Sequence, residues 1–531
     1  MPVVINGRNQ IANKPSNEGR ETFTAVNPRT KQTTPYAFFN AITTEIDQAV
    51  RAATDAFAQS RHFSAHKLAE FLDQVAAEIE NLGDQLLHTA DEETGLGIPR
   101  LTGERGRTTG QLRKFGELLR EGSYVDAIID TAQPDRQPLP RSSIRRQLFP
   151  LGPVAVFSAS NFPFAFSVAG GDTASAFAAG CPVVVKAHPC HPATSELFAH
   201  AINRAIEQLD FPAGFFSLIQ GNTIEVGQTL VTHPGIAAVG FTGSLRAGRA
   251  IYDAAAARPI PIPVFAEMGS VNPVILLPNA VAERGDNLAA GLVQSLTLGS
   301  GQFCTNPGLV LMVKSPETDA FIKNVAEKMN AQSPGVLLNG SIEQGLANAV
   351  ATTVKRPFIQ THTGGEVVAG DSFCYANTVL QTSAAAFCND PLLQEEHFGP
   401  VTLFVVADSM GELETAVHAL HGNLTATIHA AESDLNAAQT LLMDLKETVG
   451  RLIWNGFPTG VEVSHAMQHG GPYPATTAPA TTSVGMTAIK RFMRPVAFQD
   501  VPDALLPPAL QDANPLNIWR IVDGDWSKQR I

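Results

Sequence analysis

Apolar residues recur at helical spacing in several stretches of this chain. Leu68, Phe71, Leu72, Val75, Ile79 and Leu82 share one face of a helix expected over about 65–90. Thr44, with Asp47 three residues later, signals the start of a helix ending near Gln59. Other helices are expected over about 105–121, 193–208 and 284–298, the last with Leu288, Leu292 and Leu296 inward. Between the helices lie short apolar runs. Those at 154–157, 182–186, 215–219 and 236–241 form one series; those at 273–277, 308–313, 402–406 and 451–454 form a second. Such runs alternating with helices predict parallel sheets covered on both faces, with ligands beyond the strands' C-terminal ends. Residues 6–37 read as short strands and turns. Residues 127–149, rich in Pro, Gln and Arg, read as a protruding β-ribbon that pairs with another subunit, and the chain after Met493 reads as Pro-rich and irregular.

Composition narrows the picture. A chain of 531 residues holds two or three domains, and 44% hydrophobic with 16% charged residues is a folded composition. A net charge of −13 disfavours nucleic acid and anionic membrane as partners. The uncharged stretch 147–171 contains Pro150, Pro153, Asn161 and Pro163, so it reads as a buried strand and loop rather than a membrane span. Five widely spaced cysteines argue for a reducing compartment and against a disulfide framework. The first residues lack a signal-peptide pattern, and the expected location is cytoplasmic.

The candidate chemistry centres on 266–305. Glu267 opens the run Glu-Met-Gly-Ser-Val-Asn-Pro, and Cys304 sits in Gly299-Ser300-Gly301-Gln302-Phe303-Cys304-Thr305. A thiolate flanked by small residues admits a substrate carbon, and a carboxylate nearby moves protons. By itself a cysteine is more often a buried structural residue, and Asn161 is equally a turn residue. The turn Gly243-Ser244-Leu245-Arg246-Ala247-Gly248 has neither GxGxxG spacing nor a P-loop ending.

Taken together and in order, these motifs resemble the aldehyde dehydrogenase superfamily. Phe157-Ser158-Ala159-Ser160-Asn161-Phe162-Pro163, Lys186, Phe241-Thr242-Gly243-Ser244 with Gly248, Glu267, Cys304 and Glu395-Glu396-His397-Phe398-Gly399-Pro400 carry the likeness. The resemblance implies an α/β fold: a Rossmann-like parallel-sheet NAD(P)-binding domain (1–126 and 150–266), an α/β catalytic domain (267–484), and an oligomerisation ribbon and tail (127–149 and 485–531). It implies Cys304 as nucleophile, Asn161 and the Cys304 N–H as oxyanion donors, and Glu267 as the base that hydrolyses a thioester. Gly243, Ser244 and Gly248 would carry the pyrophosphate, Lys186 the ribose hydroxyls, and Glu396 with Phe398 the nicotinamide ribose. After Lys186 the run Ala187-His188-Pro189-Cys190-His191 lacks the carboxylate of NAD-preferring members, so NADP is the expected cofactor, with His188 a donor to its 2′-phosphate and NAD also usable. His188, Cys190 and His191 do not make a metal site on this reading, and no catalytic metal is expected. A homodimer or dimer of dimers is implied.

Residues 102–113, 469–476 and Gly170-Gly171 depart from common members and resemble bacterial 2-oxoglutarate semialdehyde (2,5-dioxopentanoate) dehydrogenases. Arg107 is then a candidate grip for a substrate carboxylate, with a surface arginine in a salt bridge the equal alternative. Phe162, Pro458 and Thr459 are candidate tunnel walls. Other readings are a long-chain or broad-specificity aldehyde dehydrogenase and a catalytically silent relative; the intact Cys304, Glu267 and Asn161 argue against the last.

Overall fold

The computed structural model describes residues 2–531. Two seven-stranded sheets and a smaller five-stranded one carry the chain. In the first, Val264–Glu267, Ala238–Thr242, Val154–Phe157, Val183–Lys186 and Phe216–Ile219 run parallel in that spatial order. Asn9–Ile11 and Lys14–Ser16 then extend one edge antiparallel. Every residue of Val154–Phe157 is buried, as strands covered on both faces require. In the second sheet Thr378–Ser383, Val401–Ala407, Leu309–Val313, Val274–Leu276, Asn423–His429 and Val449–Trp454 are parallel, with Gln360–Thr363 antiparallel at one edge.

Helix Ala65–Asn81 buries Phe71 against Phe177, Phe211 and Phe215, with ring centroids 4.4–5.5 Å apart. The expected helix over 65–90 is two, Ala65–Asn81 and Gly83–Thr94, because Gly83 takes a φ of +58° between them. The next helix starts earlier than expected, at Ile98, behind Gly97 and with Pro99 in its first turn. The helix leading to Cys304 spans Pro278–Thr297 and breaks helical geometry at Arg284. The first helix, Thr43–Ser60, is capped by Glu45 rather than Asp47: the Ile42 N–H donates to the Glu45 carboxylate at 3.1 Å, while Asp47 pairs with Arg51 at 2.8 Å.

The ribbon is present, and the expectation of an irregular tail needs correction. Ile128–Asp130 and Ile144–Pro150 do pair antiparallel, but the tail of the same chain completes their sheet. Met493–Gln499, expected to be irregular, is a full strand along Ile144–Pro150, and Arg520–Val522 adds on the other side. Rare short strands beside prolines hide this pairing in the sequence. No helix of the described residues is long and apolar enough to cross a membrane.

The sheets place the chemistry. Glu267, Lys186 and Thr242 end their strands, and Asn161 follows Val154–Phe157 by four residues. All four lie at or just beyond C-terminal strand ends, where crevices open in such sheets.

Candidate active site

A single-turn helix, Leu298–Gly301, carries the chain from the long helix into the Cys304 loop. Gly301 has a φ of +69°, and a Cβ there would lie 2.1 Å from the Gly399 carbonyl oxygen; only glycine fits. Asn272 then fastens the loop, its Nδ2 donating to the carbonyls of Cys304 at 2.8 Å and Asn306 at 2.9 Å. Asn161 Nδ2 donates to the Gln302 carbonyl at 2.9 Å, which uses one of its two N–H bonds and leaves the other for a ligand. Behind it Arg100 Nη2 donates to the Asn161 carbonyl at 2.7 Å, its guanidinium lying over Phe162 and Phe303.

The nucleophile and the carboxylate meet through a third residue that sequence reasoning did not assign. His469 Nε2 lies 3.5 Å from Cys304 Sγ and 3.0 Å from Glu267 Oε1. His469 is fully buried and Glu267 is 2% exposed, whereas Cys304 keeps surface toward a cavity. The loop that brings His469 there is laced onto the Glu267 strand: Met268 N–H donates to the Ala475 carbonyl at 2.8 Å, and Ser483 Oγ donates to Glu267 Oε2 at 2.5 Å. Gly470 and Gly471 allow that close course, since a Cβ on either would meet a carbonyl oxygen, of Thr481 or Asn423, within 2.6 Å. The only signal in the sequence was the unusual His-Gly-Gly run.

Electrostatics separate the two acids. Burial alone would push the Glu267 carboxyl up, but His469, Ser483 and the Cys304 thiol together hold it below the usual range. Burial pushes the Cys304 thiol well up, and the neighbouring Glu267 adds to the rise. The resting pair is therefore a thiol beside a carboxylate.

The cavity, about 420 Å³, runs from Cys304, Glu267 and Asn161 past Glu396 and Phe398 to His188, Thr242, Gly243 and Ser244. The model of the aldehyde dehydrogenase family matches residues 15–476. The chain is 50% identical over 481 residues to alpha-ketoglutaric semialdehyde dehydrogenase 2 of Azospirillum brasilense, covering 90% of this chain and 91% of that protein. It is 46% identical over 520 residues to alpha-ketoglutaric semialdehyde dehydrogenase of Acinetobacter baylyi, covering 98% and 97%. The chain belongs to the aldehyde dehydrogenase family. It is an oxidoreductase acting on aldehydes with a nicotinamide dinucleotide as acceptor. Lactaldehyde dehydrogenase from Escherichia coli has the same fold, with a TM-score of 0.80 at 24% identity, covering 94% of this chain and 99% of that one.

The far end of the cavity fits such a dinucleotide. Ser244 caps helix Leu245–Ala256, its Oγ accepting from the Ala247 N–H at 3.3 Å, so the helix start faces the cavity wall. A Cβ at Gly243 would lie 2.7 Å from the Phe241 ring, and one at Gly248 2.6 Å from Met268, so the turn packs down only with glycine at both. Gly269 likewise lets the Glu396 carboxylate approach to 2.7 Å of where its Cβ would stand. Burial pushes Glu396 up to about 7. His188 lines the cavity, its Nδ1 accepting from the Cys190 N–H at 3.2 Å, which leaves Nε2 to donate outward. His191 Nε2 donates to the Ala159 carbonyl at 2.8 Å, and Cys190 Sγ accepts from Asn339 at 3.1 Å, so these three residues do not converge. Lys186 and Gly248 are not among the lining residues, and burial pushes Lys186 down to about 8.

The expected substrate residues Arg107, Phe162, Pro458 and Thr459 are not among the residues that line this cavity. Arg107 is mostly buried, its guanidinium 5.1 Å from the Phe166 ring centroid and its Nη2 donating weakly to the Val461 carbonyl at 3.4 Å. It makes no salt bridge among the described residues, so the surface ion-pair alternative fails. Burial pushes the Arg107 guanidinium down, opposed first by the nearby Glu104 carboxyl and then by Cys304 and Glu267. A second arginine, Arg451, was missed. It has no ion pair either, it feels Cys304, and it donates to the carbonyls of Pro458 at 2.9 Å and Gly460 at 3.2 Å. Thr459 is tied to Ser295 Oγ on the helix before Cys304, and Phe162 packs edge-on against Phe166 and Phe303.

Proposed function

We propose that this enzyme oxidises 2,5-dioxopentanoate, the semialdehyde of 2-oxoglutarate, to 2-oxoglutarate with NADP as the preferred acceptor. The observation that carries the reading is a pair of arginines without a salt bridge, Arg107 and Arg451, that both feel Cys304 of the Cys304–His469–Glu267 cluster electrostatically. An unpaired, largely buried guanidinium is costly unless a ligand anion completes it. A short oxo-acid aldehyde supplies that anion at the end remote from its reacting carbon. Two relatives at 46–50% identity bear the name of this activity, which supports the same assignment.

The chain's residues act as follows. Glu267, ionised and in direct contact with the Cys304 thiol, takes the thiol proton and gives it up to solvent, while the His469 Nε2–H donates to Glu267 Oε1 at 3.0 Å and holds the carboxylate in place. Sγ adds to the aldehyde carbon, and the free N–H of Asn161 with the Cys304 backbone N–H holds the oxyanion. When bound, the nicotinamide supplies a hydride acceptor, which leaves an acyl group on Cys304. Glu267, kept ionised, then draws a proton from water as it attacks the thioester. Lys186 and Glu396 would hold the two riboses, and Phe398 would pack beside the nicotinamide. Nothing acidic follows Lys186, and the outward Nε2 of His188 offers a hydrogen bond to a 2′-phosphate. The free edge of Met493–Gln499 supports assembly as a dimer or a dimer of dimers.

The test is a panel of aldehydes with and without a terminal carboxylate, each with NADP and NAD. The proposal expects the highest kcat/KM for dioxopentanoate with NADP. Equal turnover of neutral long-chain aldehydes would refute the substrate assignment, and a large NAD advantage would refute the cofactor assignment.

A further inference from the structure

We propose that Cys304, His469 and Glu267 form a reversible binding site for a thiophilic divalent cation such as Zn²⁺, which shuts the enzyme off. The proposal stands on the positions of three atoms and does not depend on which aldehyde turns over. Cys304 Sγ, His469 Nε2 and a Glu267 carboxylate oxygen all lie within 4.8 Å of one another. Two of the separations are known closely: 3.5 Å between sulfur and nitrogen, and 3.0 Å between nitrogen and oxygen. A tetrahedral ion with ordinary bond lengths to thiolate, imidazole and carboxylate separates its donors by about 3.6 and 3.4 Å respectively. The cluster needs to open by only a few tenths of an ångström to admit it.

Chemistry and access point the same way. Sulfur, imidazole and one carboxylate are a donor set that favours zinc and its soft neighbours over magnesium or calcium. His469 is fully buried, and its Nε2 is the atom both partners share. Its Nδ1 has no hydrogen-bond partner, so no carboxylate or carbonyl behind the ring holds it as resident zinc sites do. That favours reversible capture over permanent occupancy. Ser483 occupies Glu267 Oε2 and so leaves Oε1 to coordinate. The same cavity that exposes Cys304 and Glu267 gives a hydrated ion its path and a water for the fourth position. Binding forms a metal–thiolate bond and releases the thiol proton to solvent; nothing is oxidised or reduced. The bound sulfur can no longer add to an aldehyde.

The experiment uses the full-length enzyme and Co²⁺ alone, read by absorption, with no substrate present. The expected result is a near-ultraviolet thiolate-to-cobalt charge-transfer band with tetrahedral visible bands, displaced by Zn²⁺. Cys304→Ala should abolish the charge-transfer band, and His469→Gln should weaken cobalt binding about tenfold or more. Co²⁺ should also protect Cys304, and none of the other four cysteines, from iodoacetamide in peptide mapping. Retained dinucleotide binding, followed by fluorescence, establishes that each variant is folded. A band that survives in Cys304→Ala, or an affinity unchanged in folded His469→Gln, overturns the proposal, as does the absence of any thiolate band in the wild-type protein.

Discussion

Replacing Arg107 by alanine should separate substrates by charge. In the structure Arg107 has one weak hydrogen bond and a stacked ring, and no salt bridge. A bidentate contact to a substrate carboxylate in so enclosed a site is worth about 3 kcal/mol, the upper part of the range for a hydrogen bond to a charged group. A neutral aldehyde forgoes only the packing of guanidinium on Phe166, about 0.5–1 kcal/mol. By that arithmetic kcat/KM for dioxopentanoate should fall about 150-fold, and that for a neutral aldehyde of similar length less than about fivefold. Lysine at 107 keeps the charge but not the fork, and should recover only part of the loss. The assay is steady-state production of NADPH, followed by its absorbance, for the wild-type enzyme and both variants on both aldehydes. Equal losses on the charged and neutral substrates would refute the assignment of Arg107 to the substrate carboxylate.

Other outcomes follow from the same geometry. Arg451→Ala should also lower kcat/KM for dioxopentanoate more than for a neutral aldehyde, and a selective loss confined to Arg107 would remove Arg451 from substrate binding. Burial pushes Lys186 down to about 8, so the free enzyme holds its cation below that pH and loses it above. NADP affinity should therefore weaken as pH rises through about 8, and calorimetric titrations at pH 7 and 9 would check this; a flat profile counts against Lys186. Gly301→Ala meets the Gly399 carbonyl and a φ of +69°, and should cost about 2–4 kcal/mol of stability and most of the activity, read by melting temperature and initial rate.

Much of the fold and half of the site were legible in the sequence. Uninterrupted apolar runs such as Val154–Phe157 announce a buried parallel strand, since no solvent-facing position interrupts them. The small residues around Cys304 reflect a backbone approach that leaves no space for a Cβ. The five-stranded sheet was not legible, because Met493–Gln499 contains a proline and pairs with a segment more than 300 residues earlier. The split at Gly83 depends on one backbone angle that helical periodicity does not report. His469 was hidden for a related reason: it reaches Glu267 across 202 residues, through a loop fixed by glycine contacts and not by any local pattern. Arg451 lies in a strand and reads as an ordinary exposed cation until its lack of an ion pair is seen in three dimensions.

The central claim is that an acyl group rests on Cys304 until Glu267 activates water. Intact-mass and peptide mass spectrometry of Glu267→Gln, incubated with aldehyde and NADP, tests it most directly. An acyl adduct confined to the Cys304 peptide, formed with stoichiometric NADPH and absent from Cys304→Ala, is the predicted result. Normal steady-state turnover by Glu267→Gln, or NADPH formation by Cys304→Ala, would contradict it.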